Sequence, residues 1–127
     1  MNFLLVFIGG GIGCVIRYII GLGAIRVTTS LPLATFVSNS LACIIFALTL
    51  FLINQKELIN QAQLQQYTTL KLLLLTGFCG GLSTFSTFGY ETFLLFKQGL
   101  HLYAFLNIVV SSLISLLIFF IFIKHIA

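Results

Sequence analysis

The chain has 127 residues, 60% of them hydrophobic and only 6% charged, with a mean hydropathy of +1.20. A water-soluble domain of this size would lack the polar residues to cover its surface, so that class is excluded. The net charge of +4 comes from six Lys and Arg against Glu57 and Glu91. The basic residues sit singly at segment ends, as interfacial anchors do, rather than in a patch for nucleic acid.

The apolar runs are continuous over about 20 residues, which fits membrane-spanning helices and not barrel strands that alternate over about 10. The first run covers about residues 2–24. No basic residue precedes it and no A-x-A site follows, so it reads as a membrane helix rather than a cleaved leader. Gly9 and Gly13 have the small-xxx-small spacing that lets helices approach closely. Arg17 lies roughly 12 Å inside the end of this span, at about 1.5 Å per residue. It is within reach of a snorkelling side chain, or placed to line a water-filled vestibule and raise the local anion concentration. Cys14, Cys43 and Cys79 lie in apolar segments without CxxC spacing and read as small packing residues, not as a disulfide or metal site.

The second span covers about residues 33–53, with Pro32 in its first turn and Ser30 as its cap. Thr35, Asn39, Ala42 and Phe46 share one face at i+3/i+4 spacing. Asn39 stands out, because hydrocarbon satisfies neither the donors nor the acceptor of its amide. Residues 54–71 are glutamine-rich, carry Lys56 and Glu57, and read as an exposed loop with at most a short surface helix. The third span, about 72–97, has its centre near Thr84 and Phe85. Glu91 lies about two turns further on. A carboxylate inside the bilayer costs about 2.5–3.5 kcal/mol, so Glu91 must face protein or water. The fourth span, about 102–123, carries Tyr103, Asn107, Ser111 and Ser115 at every fourth residue, a polar stripe bordered by Ser112. His101 and His125 read as interfacial residues at its ends.

The expected architecture is all-α: a single membrane domain over residues 1–127 with four transmembrane helices. Lys56, Lys71 and Lys124 on one side balance Arg26, Lys97 and Arg17 on the other. With almost no positive-inside bias, insertion in both orientations and an antiparallel dual-topology homodimer become the expectation.

One stretch conflicts with its surroundings. Gly77-Phe78-Cys79-Gly80-Gly81-Leu82-Ser83-Thr84-Phe85-Ser86-Thr87-Phe88 holds three glycines, two serines and two threonines near the middle of a span. Glycine costs a helix interior about 1 kcal/mol relative to alanine, and hydroxyl side chains offer the backbone other hydrogen bonds. A helix break at Gly80–Ser83 is therefore expected. Breaks inside membranes occur where freed backbone groups meet protein, water or an ion. Phe85 and Phe88, three residues apart, are either packing residues or rings whose electropositive edges face a dehydrated anion. Asn39 adds an N–H donor and the Ser/Thr hydroxyls a polar track. A cation pore would call for carboxylate rings, so the residues lean towards a path for a small anion. Paired carboxylates, metal-ligand clusters and Ser-His-Asp sets are absent from the sequence, so an enzyme is not expected.

The stretch from Gly77 to Phe88, followed by Glu91, resembles the signature of the CrcB/Fluc family of fluoride channels. Gly10 to Tyr18 (GGIGCVIRY) is similar to that family's glycine-rich first helix, and Pro32 to Asn39 (PLATFVSN) to its second-helix pattern. The resemblance covers nearly the whole chain. It implies a passive, fluoride-selective channel in the cell membrane, of the prokaryotic plasma-membrane type. Fluoride that enters as its neutral acid and ionises in the cytoplasm would leave through it, and fluoride toxicity would fall. It implies that Phe85 and Phe88 contact fluoride, that Asn39 is a pore-lining donor, and that Asn107, Ser111 and Ser115 form a polar track. It places Arg17 at a vestibule and gives Glu91 a gating or structural role. It also implies an antiparallel homodimer, with a paralogue as a further partner in some members. A structural sodium ion would lie at the dimer interface on the backbone carbonyls of Gly80 and Ser83. Ser83 stands where the family usually has threonine, Ala34 where it has glycine and Cys14 where it has alanine; a carbonyl ligand survives the first change. Two other classes are weighed against the channel. A small multidrug-type transporter depends on a carboxylate in the first span, which has none. A membrane assembly subunit would rest on packing through Gly9/Gly13 and Gly77/Gly81.

Overall fold

The computed structural model describes residues 2–26, 31–54 and 61–124. Ser30, Lys56, Glu57 and His125, to which the sequence assigns a cap, loop charges and an interfacial role, lie outside those residues. Helix α1 is Asn2–Ile25 and α2 is Leu33–Asn54. Helix α3 covers residues 61–82: an α-helical start at Gln61–Leu70, a wider π-helical segment at Lys71–Cys79, and a last α-turn at Gly80–Leu82. Helix α4 is Phe85–Lys97 and α5 is His101–Ile123. Among the described residues, four helical runs are long and apolar enough to cross a membrane, with α3 and α4 together making the third. The chain is thus an all-α, multi-pass membrane protein whose third span is broken. Large apolar side chains such as Phe3, Phe7, Leu113, Leu116 and Phe120 face outward, the pattern expected when lipid rather than water is the solvent.

The third span begins about ten residues earlier than the hydrophobicity predicts. Residues 61–70 carry no apolar run, but seven of the ten are Gln, Leu or Ala, which are good helix formers. Extending an existing helix costs no new nucleus, so the apolar helix propagates back through this polar stretch. Residues 71–97 already exceed the about 20 needed to cross the hydrocarbon, so 61–70 stands clear of it. Gln65 and Gln66 are exposed accordingly. Ser83 and Thr84 then fall midway between Lys71 and Lys97.

The helix α3 is held from two sides. On one side it meets α1 with almost no side chain between them. A Cβ on Gly9 would overlap the Leu73 carbonyl oxygen, one on Gly13 the Phe78 carbonyl oxygen, and one on Gly81 the Gly10 carbonyl oxygen. Gly77 is less tight but still close, a Cβ there lying 2.9 Å from the Val6 carbonyl oxygen. The Gly9/Gly13 spacing thus serves a contact inside the chain, and Gly77/Gly81 is its other half. The assembly-subunit reading loses both pairs, because neither is free for a partner. On the other side, Cys79 and Leu82 pack against Ala42 of α2, flanked by Leu41, Ile45 and Phe46 of the same helix. Phe46 also meets Phe119 of α5 edge-to-face at 5.7 Å between centroids. Helix α4 ends at a tight turn where Gly99 has φ +77°, a conformation that costs glycine nothing, and α5 returns from it.

Candidate functional site

The break lies slightly later than the glycines predict. Gly80–Leu82 remain helical, while Ser83 (φ −80°, ψ 156°) and Thr84 (φ −152°, ψ 114°) are extended. Hydroxyls rather than glycines make it. The Ser83 hydroxyl donates to the Cys79 carbonyl at 2.8 Å, beside the Ser83 N–H at 2.9 Å. The Thr84 hydroxyl oxygen accepts the Thr87 N–H at 3.3 Å and so caps α4. Its hydroxyl also donates to Thr87 Oγ1 at 3.0 Å.

Asn39 braces this break from α2. Its Oδ1 accepts the Thr84 N–H at 2.7 Å and its Nδ2 donates to the Thr84 carbonyl at 3.4 Å. The amide thus pairs with both backbone groups of one extended residue, as a neighbouring strand would. A second N–H on Nδ2 is left over, since a primary amide has two.

These hydrogen bonds redirect two donors. In an unbroken helix the Thr84 N–H would go to the Gly80 carbonyl and the Thr87 N–H to the Ser83 carbonyl. The first goes to Asn39 and the second to the Thr84 side chain, so both carbonyls lose their helical partners. Arg17 reaches the Ser83 carbonyl from α1, with Nη1 at 3.5 Å, and its Nη2 lies 3.7 Å from Cys14 Sγ. A cation belongs here, because the break is also the negative end of the α3 dipole. The opposite face of the break is the positive N-terminus of α4, whose first N–H groups favour an anion. Two electrostatic preferences of opposite sign therefore meet across Ser83 and Thr84.

The α4 side opens into a groove of about 500 Å³. Asn39 and Cys43 of α2 form one wall, Ser83 to Phe85 and Phe88 another, and Ser111, Ser112, Ser115 and Leu116 of α5 the third. The Phe85 and Phe88 rings lie 5.9 Å apart at 35°. Phe85 is 84% exposed, Phe88 half-buried. Five of the residues singled out for an ion pathway (Asn39, Phe85, Phe88, Ser111 and Ser115) therefore share one surface.

The others are placed differently. Asn107 does not line this groove; it lies by Pro32, Phe36 and Tyr103 in a neighbouring one. It joins the site through hydrogen bonds, donating to Thr92 Oγ1 at 2.8 Å and accepting from the Ser111 hydroxyl at 3.5 Å. Thr92 in turn donates to the Phe88 carbonyl at 2.8 Å, and Ser115 to the Ser111 carbonyl at 2.8 Å. Thr92 is buried and was not singled out, although it sits one turn after Phe88, a spacing that marks it as a neighbour. Arg17 is on the carbonyl side of the break. Glu91 is half-buried on α4, touches the Thr35 side chain, and its Oε2 has no hydrogen-bond partner among the described residues. Gly80 is exposed, and with Ser83, Cys43 and Cys79 it edges a smaller groove of about 170 Å³ on the α2–α5 side.

Comparison with known sequences places the chain in a family. The family model described as CrcB-like protein, Camphor Resistance (CrcB), matches residues 4–123. A fluoride-specific ion channel of Pyrococcus abyssi is 40% identical over 92% of this chain and 89% of its own length. Proteins of the same name from Pyrococcus furiosus and Azobacteroides pseudotrichonymphae are 42% and 37% identical. The matches cover 91% and 89% of this chain, and 88% and 89% of those proteins. With the match running from the first span to the last and taking in the whole of the break, the chain belongs to the CrcB-like protein family.

Proposed function

We propose that this chain is a passive, fluoride-selective channel that lets fluoride leave the cytoplasm and so lowers its toxicity. The observation that carries the reading is the groove beside the break, where Asn39, Phe85, Phe88, Ser111 and Ser115 converge on the N-terminus of α4. The relatives' name, fluoride-specific ion channel, supplies the ion. A dehydrated fluoride needs donors along its whole path. The spare Asn39 N–H and the first N–H groups of α4 are such donors, and the Ser111 and Ser115 hydroxyls would join them by rotating off Asn107 Oδ1 and the Ser111 carbonyl. The edges of the Phe85 and Phe88 rings carry the positive side of the aromatic quadrupole and would weakly stabilise the ion between them.

The working unit in this reading is an antiparallel homodimer. Phe85 is too exposed to define a pore wall in one chain, and a second copy against the break would enclose it. The Gly80 and Ser83 carbonyls, deprived of their helical donors, have the chemistry of hard-cation ligands and suit a structural sodium ion at that interface. Sodium there would neutralise the negative end of α3, alongside Arg17. Glu91 and Asn107 stand behind the pathway as positioning groups.

The test is efflux of fluoride and chloride from the same proteoliposomes containing only this chain. Fluoride should leave and chloride stay. Equal leakage of both ions, or none above empty vesicles, overturns the reading. Phe85→Ile and Phe88→Ile should each abolish most of the fluoride flux while the protein remains folded, since neither ring is part of the buried core. A folded variant with undiminished flux would remove the rings from the pathway.

A further inference from the structure

Cys43 is the one residue besides Ser83 that lines both grooves at the break. In the larger it stands one turn from Asn39, beside the proposed ion path. In the smaller it shares the wall with Cys79, the most buried cysteine of the chain. Their pocket, about 170 Å³, has room for a metal ion. Its other walls are Ala42, Phe46, Leu75 and Phe119, with Gly80 and Ser83 at the edge. The two thiols, with no carboxylate or imidazole beside them on these walls, are poor ligands for a hard cation, unlike the Gly80 and Ser83 carbonyls at the edge. The thiols suit a soft one that takes two sulfur ligands.

We propose that Cys43 and Cys79 form a two-thiol site for a thiophilic metal ion, and that an ion bound there obstructs the pathway beside Asn39. The second clause rests on the channel reading; the first does not. With mercuric chloride as the probe, both S–H bonds break and two Hg–S bonds form. Two protons and two chlorides leave, and no electrons change hands. A divalent ion held by two thiolates is neutral, which suits a site inside a bilayer. A metal on Cys43 lies in the wall shared with Ser83, where it narrows the larger groove.

The experiment uses the full chain with Cys14→Ala, which removes the exposed third thiol. Mercuric chloride is added to purified protein, and free thiols are counted after denaturation. One mercury per chain should consume both thiols. A requirement for two equivalents, or thiols left unreacted, overturns the site. In proteoliposomes, fluoride efflux is compared with and without mercuric chloride, each variant against its own untreated rate. The Cys14→Ala protein should be blocked and recover with dithiothreitol. Adding Cys43→Ala should remove the block. Adding Cys79→Ala should raise the concentration for half-block on the order of 10²-fold, because the second bond is intramolecular. Block that persists without Cys43, or that is unchanged without Cys79, overturns the proposal. If untreated vesicles carry no fluoride, the channel reading fails, while the thiol count still decides the site.

Discussion

The two sides of the third span solve opposite problems. Towards α1, four glycines let backbone lie on backbone, and a polar side chain enters only at the break, where Arg17 meets the Ser83 carbonyl. Towards α2 and α5, side chains hold the backbone apart and satisfy it: Asn39 on Thr84, Thr84 on Thr87, Thr92 on Phe88. The first side is filled and leaves no room for an ion. The second encloses a groove. A broken helix in a membrane needs both, since a rigid backing fixes where the break occurs and a polar front supplies the bonds that the break gives up.

That contrast is most easily broken from the filled side. Gly13→Val or Gly81→Val would drive a side chain into a carbonyl of the facing helix, where the nearest atoms are backbone and cannot rotate away. Overpacking a core typically costs about 1–3 kcal/mol, and backbone on backbone should reach the top of that range or pass it. Monodisperse protein in detergent should fall sharply. By contrast, Gly11 has open space around its Cβ position, so Gly11→Ala should gain up to about 1 kcal/mol of helix propensity. Equal yields of the Gly13 and Gly11 variants would show that close approach is not what these glycines provide.

Much of this was readable from the sequence because hydrophobicity and its interruption are local signals. Four apolar runs announced four spans, and the glycine–hydroxyl stretch announced the break. Its exact residues were not legible, because glycine tolerates a helix and the hydroxyls decide only once Asn39 is opposite them. The start of α3 escaped notice because residues 61–70 are helical by propagation, without an apolar stripe to betray them. The Arg17–Ser83 contact and the role of Cys43 depend on which helices become neighbours, and spacing within one helix carries no such information. Asn107 kept its stripe but not its groove. Its amide turns to Thr92, a partner on α4 that the stripe on α5 could not name.

The polar front should respond next. Asn39→Ala leaves the buried Thr84 N–H without an acceptor, at a cost of about 1–3 kcal/mol, and removes the spare donor from the groove. Asn39→Asp keeps an acceptor for Thr84 but places negative charge where fluoride would pass. Thermal stability in detergent should therefore fall more in Asn39→Ala, and fluoride flux more in Asn39→Asp. The same order in both measurements would mean that Asn39 only braces the break.

Thr92→Val should have the smallest effect and the sharpest meaning. Valine keeps the shape of the buried side chain and removes its hydroxyl. The Phe88 carbonyl keeps its place in α4, so the loss falls on Asn107, whose Nδ2 donates to that hydroxyl. A net hydrogen bond is worth about 0.5–1.5 kcal/mol, and Asn107 is only half-buried, so stability should drop by about 1 kcal/mol or less. Flux should drop as well if Asn107 positions the Ser111 hydroxyl, because a freed amide no longer holds Oδ1 where that hydroxyl points. Pairing Thr92→Val with Ser111→Ala separates the two cases. Flux losses that multiply independently would place Thr92 and Ser111 in separate roles, whereas a double variant no worse than Ser111→Ala alone would show that Thr92 acts on the pathway through Asn107 and Ser111.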